Sequence, residues 1–274
     1  MGNLNIATDN DCTNIIPVHF TYVTEITSKG NTNNTFIVLK NIIDGDIGNV
    51  MSDGKDRAGK VRIDSAVGLN EFYSDRSGKD ELVSTKRNEG GFIHTVQSLN
   101  TDEKARNTFT VDMIITGVTR VEGDPEKGTV DHCDVKGCIF DFKKAILPTS
   151  FTVTNARGME YFEGLEASSK HPIFTKVWGR QISRTIVNKK VEESSWGEAN
   201  VQESTSSRKE WVITGSNPEP YEWDDEATIT AAELTEAMAA REIYLAGVKK
   251  RQDDYKAAKT TSTTNFTSDS GFNF

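Results

Sequence analysis

Short runs rich in Val, Ile, Thr and Phe recur along the chain, broken by clusters of Gly, Asn, Asp and Pro. That is the pattern of β-strands joined by turns. In residues 1–106 the runs predict strands at Ile15–Thr27, Thr35–Ile43, Val61–Tyr73 and Glu81–Lys86. Between the last two, Asp75–Asp80 is a polar turn suited to a hairpin, whereas the Gly- and Asp-rich stretch Asp44–Lys60 reads as a loop. Further along, strands are expected at Thr108–Val121, His132–Phe142, Phe151–Asn155, Phe174–Val191 and Glu210–Thr214. Gly158–Leu165, with Met159, Phe162 and Leu165 at a spacing of three, predicts a short helix.

Five strands with one helix between the third and fourth is the order of an OB-fold barrel; a β-sandwich is the competing architecture. The expected fold is therefore mainly β, with an OB-fold-like barrel over 107–216. The preceding 1–106 reads as a β-rich region that forms either a second such barrel or an extension of the first.

The character changes after Pro218. Thr230 and Glu233 make a capping box at a helix start, and Ala-rich helical sequence continues to about Lys259. Leu234, Met238, Leu245 and Val248 form a partial apolar stripe. Acids at the start (Glu233, Glu236) and bases in the later turns (Lys249, Lys250, Arg251) suit the helix dipole. Residues 217–259 are thus an acidic linker and helical arm. Residues 260–274, rich in Ser, Thr and Asn, are expected to be a disordered tail.

The chain has 274 residues, 35% hydrophobic and 27% charged, which is enough apolar material for a core. No apolar run is long enough for a membrane helix, and the start lacks the basic and apolar regions of a secretory signal. Three cysteines (Cys12, Cys133, Cys138) argue against a disulfide scaffold and for a reducing cytoplasm. Net charge is −9, so the surface is not uniformly basic. The charge is unevenly placed, however. Asn217–Glu242 holds eight acids against Arg241 alone, while Lys170–Lys190 holds six bases and no acid.

That basic window coincides with the longest predicted strand. Alternate residues of a strand face one side, which puts Phe174, Lys176, Trp178, Arg180 and Arg184 together. Aromatic rings that stack bases, interleaved with cations that track phosphates, are the chemistry of a single-strand binder. Against this stands a bland reading in which Phe174 and Trp178 are core and the cations snorkel, or in which a bulge at Gly179 breaks the parity. A fainter version lies around the Asp75–Asp80 turn, where Arg62, Phe72, Arg76 and Arg87 interleave in the same way. A solvated hairpin with scattered charges is its bland counterpart.

Catalytic signals are weak. Gly54–Lys60 has the spacing of a phosphate-binding loop, but Val61 stands where Ser or Thr would hold Mg²⁺, and a β-like run follows instead of a helix. Asp131, His132, Cys133 and Cys138 lack the second ligand pair of a structural zinc site. No cofactor, no metal and no enzymatic activity is expected.

The segments Asn107–Gly117 (NTFTVDMIITG), Lys136–Pro148 (KGCIFDFKKAILP), Phe174–Ile182 (FTKVWGRQI) and Asn217–Asp225 (NPEPYEWDD) resemble OB-fold single-stranded DNA-binding proteins of bacteriophages. The similarity runs from about Arg62 to Lys259. It implies a non-catalytic accessory of phage DNA replication or recombination in the host bacterial cytoplasm, coating single-stranded DNA. It also places Phe174, Lys176, Trp178 and Arg180 in a nucleic-acid-contacting strand.

The ending Gly271-Phe272-Asn273-Phe274 resembles the C-terminal tips by which bacterial single-stranded DNA-binding proteins recruit partner enzymes, although only Asp269 is acidic there. Phe272 and Phe274 would be the anchors for a replication or recombination enzyme, and the acids of 217–242 would compete with DNA for the basic strand. Homo-oligomerisation is left open, as is the choice between DNA and RNA. The competing function is a structural or assembly protein of the virion with a β-sandwich fold.

Overall fold

Alternation of Ile16, Val18 and Phe20 buries one face of strand β2 (Ile15–Phe20). With β1 (Gly2–Ala7), β3 (Val61–Ser74) and β4 (Glu81–Thr95) it forms a four-stranded sheet in the order β1-β2-β4-β3, in which only β2–β4 is parallel. The computed structural model describes residues 2–76, 78–124, 129–192, 196, 200–223 and 229–264. Residues 1–106 thus form an open sheet with a helix packed on it, not a second barrel.

That helix, α1 (Asn34–Asp44), replaces the strand expected at Thr35–Ile43. The Asn33 side chain accepts a hydrogen bond from the Thr35 N–H at 3.1 Å, and Gly45 closes the other end in the left-handed region (φ 88°). Thr35, Val38, Leu39 and Ile42 recur at helical spacing and face the sheet. Caps and burial period outweigh the β-propensity of the run. In the following segment Asn49 caps a single helical turn, α2 (Val50–Asp53). Helix before and strand after Gly54–Lys60 is the reverse of the order a phosphate-binding loop requires.

The second half closes into a barrel of β5 (Thr108–Val121), β6 (His132–Phe140), β7 (Ile146–Val153), β8 (Ile173–Glu192) and β9 (Asn200–Ser216). Strand order is β5-β6-β7-β9-β8, with β7 and β9 parallel and helix α3 (Ala156–Gly164) between β7 and β8. This is the OB-fold-like arrangement expected. Met113, Ile115, Val135, Ile139, Val153, Val177 and Ile213 fill the interior around a Phe109–Phe151–Trp211 aromatic group, the two phenylalanines stacked at 5.1 Å. Met159 and Phe162 of α3 join the same core.

Two barrel strands are longer than the pattern suggests, as is β4 of the sheet, which runs on past Lys86 to Thr95. β7 begins at Ile146 because the tight turn Asp141–Ala145 joins it directly to β6. β9 begins at Asn200 and pairs with β8 as far as Glu192↔Asn200, forming a two-stranded ribbon beyond the barrel. Residues 200–209 carry almost no apolar alternation in sequence.

Helix α4 (Ala231–Thr264) ties the halves together. Its capping box is as expected: the Glu233 carboxylate accepts from the Thr230 N–H at 2.9 Å and Thr230 Oγ1 accepts from the Glu233 N–H at 3.2 Å. The Arg241 guanidinium grips Glu71 of β3 at 2.5 and 3.3 Å and donates to the Ile146 carbonyl of β7 at 3.1 Å. Lys249 and Lys256 reach Asp80 and Asp75 at the β3–β4 turn, and the Gln252 amide bonds both the N–H and the C=O of Tyr73, acting as a further strand partner at the β3 edge.

Candidate nucleic-acid interface

β8 carries the basic window, and its alternation holds through the barrel. Ile173, Thr175 and Val177 point inward, so Phe174, Lys176, Trp178 and Arg180 share the outer wall. The register does shift at Gly179, but the extra residue is Thr214 on β9: Trp178 pairs with Gly215 and Gly179 with Ile213. β8 therefore keeps its parity. A Cβ on Gly179 would lie 2.0 Å from the Val212 carbonyl oxygen, so the bulge needs glycine there. A Cβ on Gly215 would strike the Trp178 indole, so that ring rests on the bare backbone of β9 with 40% of the residue exposed.

The four residues meet different fates. Phe174 is 2% exposed and is a correction to the sequence reading: it cannot stack on a base, because the chain leaving β9 crosses it. Tyr221 and Trp223 pack on its ring at 5.3 and 5.6 Å, and the Tyr221 N–H donates to the Phe174 carbonyl at 2.7 Å. Ile229 and Leu234 complete this outer apolar cluster with Ile114, Cys138 and Phe140. Lys176 is drawn into the same strap. Its hydrogen bond to the Tyr221 hydroxyl, and then the Asp112 carboxylate at 3.8 Å, hold its pKa above the usual lysine value. Trp178 is left half-open, and Arg180 forms no ion pair among the described residues. Arg184 lies opposite Arg208 in the ribbon ladder, but its side chain is outside the described part. Phe272 and Phe274 are outside the described residues altogether.

The hairpin residues form a separate patch. Lys86 and Asn88 face the barrel: the Lys86 amine bonds the Ser150 carbonyl and sits 5.2 Å over the Phe151 ring, while Asn88 exchanges hydrogen bonds with Gln181 of β8. Burial pulls the Lys86 pKa down to about 8. Phe72 and Arg87 alternate onto the opposite face, which turns them away from the barrel. Arg62 pairs with Asp64 at 3.5 Å and Arg87 with Glu89 at 2.5 Å, while Arg76 is exposed in the turn. The two constellations are not one continuous surface.

Two exposed aromatics and one half-buried aromatic pair carry no signal in the sequence pattern. The Asp141–Ala145 turn holds Phe142 out, 88% exposed, with the Lys143 ammonium 5.4 Å over its ring. Trp196, 86% exposed, stands at the tip of the β8–β9 ribbon. The strap aromatics Tyr221 and Trp223 were legible only as part of an acidic linker. The metal-type residues are separated by the barrel wall: Cys133 is buried inside, whereas Cys138 lies outside under the strap, its thiol pushed up to about 11 by burial. Among the described residues no group of three or more His, Cys, Asp or Glu is placed to hold a metal ion.

Fold and surface together define a protein with an OB-fold-like barrel, a protruding ribbon and a C-terminal strap and helix. The chain belongs to the YorF family, whose model matches residues 1–251. No curated protein and no solved structure matches it. No helix among the described residues is long and apolar enough to cross a membrane.

Proposed function

We propose that this protein binds single-stranded nucleic acid without catalysis, on the outer wall of β8 and β5 and along the β8–β9 ribbon. One observation carries the reading: on a barrel of OB order, Trp178 lies half-exposed on the outer wall with Arg180 two residues along the same face. A ring held against backbone offers its other face to a base, and a neighbouring cation suits the phosphate. The ribbon that joins the fourth and fifth barrel strands extends the loop through which OB folds commonly embrace oligonucleotides. Coating of single-stranded DNA in phage replication or recombination, in a bacterial cytoplasm, follows from the resemblance of the four sequence segments alone.

The test is titration of the full chain with fluorescent oligo-dT and with a duplex of equal length, at several salt concentrations. Single strands are expected to bind more tightly, with log affinity falling against log salt by about 0.7 per phosphate neutralised. Equal affinity for both forms, or none at low salt, overturns the reading and favours a virion assembly role.

A further inference from the structure

The β6–β7 turn is built to hold an aromatic ring in solvent. The Asp141 carboxylate accepts from the Lys143 and Ala145 N–H groups, both at 2.8 Å. The Asp141 N–H donates to the Ala145 carbonyl at 3.1 Å and the Lys144 N–H to the Asp141 carbonyl at 3.0 Å. Lys144 takes a left-handed conformation (φ 61°), and its amine is ion-paired to Glu233 at the start of α4. That contact, with the capping bond from Thr230, pulls the Glu233 pKa down to about 2. The turn is thus fixed at its root and anchored to the helical arm. A freely exposed phenylalanine at its apex has no packing role to explain it, and the ammonium over its ring makes it a paired aromatic and cation.

The turn also borders a cleft of about 550 Å³ between β3 and the barrel. Phe142 and Lys144 line one side, Ser65 and Ala66 another, and Thr108 and Thr110 the floor along β5. Thr110 is the ladder partner of Trp178, and Thr108 of Arg180. The cleft thus sets Phe142 beside the stretch of β5 whose ladder partners on β8 are Trp178 and Arg180. The described part of the strap covers the neighbouring stretch of this wall, at Phe174 and Ile114.

We propose that Phe142 and Lys143 form a second contact for the same strand, Phe142 stacking a base and Lys143 meeting its phosphate, so that single-stranded nucleic acid crosses β5 between Trp178 and the β6–β7 turn. This rests on the reading of the protein as a single-strand binder. It predicts which residues a base touches beyond β5, on the β6–β7 side of Trp178.

The experiment compares the full chain with Phe142→Ala, Phe142→Trp and Lys143→Ala, by oligo-dT titration and by photocrosslinking to 5-iodouracil oligonucleotides. Because Phe142 is almost wholly in water, its replacement leaves the melting temperature unchanged. Phe142→Ala is expected to weaken binding about 5- to 150-fold and lose the crosslink at that position, and Phe142→Trp to restore both. Lys143→Ala is expected to flatten the salt slope by about 0.7. Tight binding by wild type with no change in Phe142→Ala overturns this inference and leaves the single-strand reading standing. No binding by wild type overturns both. Loss of self-association in Phe142→Ala with DNA affinity intact assigns the ring to a protein contact and overturns the inference.

Discussion

Trp178 tests stacking against structure most directly, because its two roles have separate magnitudes. An enclosed aromatic side chain buries about 150–250 Å². With 40% of the residue exposed, roughly 90–150 Å² of Trp178 is shielded, chiefly against the backbone at Gly215. At about 25 cal/mol per Å² that shielding is worth up to about 2–4 kcal/mol, so Trp178→Ala is expected to fold but to melt at a lower temperature. Loss of a base stack is worth ~1–3 kcal/mol, or about 5- to 150-fold in affinity. Trp178→Phe keeps a ring and should rank between wild type and Ala in binding. The measurements are thermal melts, then oligo-dT titrations at a temperature where all three are folded. A second readout comes from fluorescence: of the four tryptophans, Trp211 is buried in the core and Trp223 is packed on Phe174, so DNA-induced quenching in Trp178→Phe should fall to the share contributed by the exposed Trp196, and vanish when Trp196→Phe is added. If stability drops through the series while affinity and quenching stay constant, Trp178 is only a piece of barrel wall and the stacking argument is wrong.

Two further predictions concern the joints between the elements. Arg241→Met leaves the Glu71 carboxylate, whose side chain is 2% exposed, buried without its partner; the expected loss is about 3–5 kcal/mol, read by denaturant titration. Arg241→Met with Glu71→Met should regain most of it, and a double variant no better than the single would show that the pair is not the anchor of α4. Lys86 has a folded pKa of about 8, below the roughly 10.4 of an unfolded chain, so the unfolded state binds more protons between these values. Its unfavourable contribution is complete below about pH 8 and fades as pH rises towards 10, with a ceiling of about 3 kcal/mol. Lys86→Met should therefore gain stability over wild type at pH 7 and lose that advantage by pH 10; a difference constant across this range would contradict the burial argument.

Much of the barrel could be read from residues alone, because each of its elements carries its own signal. Inward Phe109, Val111 and Met113 alternate with Thr108, Thr110 and Asp112 on β5, and Met159 and Phe162 mark α3 between the third and fourth strands. The capping box at Thr230 and Glu233, and the shared face of Phe174, Lys176, Trp178 and Arg180, are local properties of the same kind, set by a spacing of three and a period of two. Elements whose partners are distant were misread or missed. Thr35–Ile43 has the composition of a strand and becomes α1 because the sheet beneath takes its Thr35, Val38, Leu39 and Ile42 edge. The ribbon part of β9 lacks apolar alternation in sequence, and only its ladder with β8 identifies it.

Accessibility, which decides the candidate site, is entirely tertiary. Phe174 and Trp178 are equivalent in pattern and differ only because Tyr221 and Trp223, more than forty residues along the chain, fold back over one and not the other. Phe72 and Arg87 belong to the right residue types and turn away from the barrel because Lys86 and Asn88, on the other parity, are the ones that meet it. A periodic pattern fixes which side of its own element a residue faces; what covers that side depends on contacts between segments far apart in sequence, and those exist only once the chain has packed.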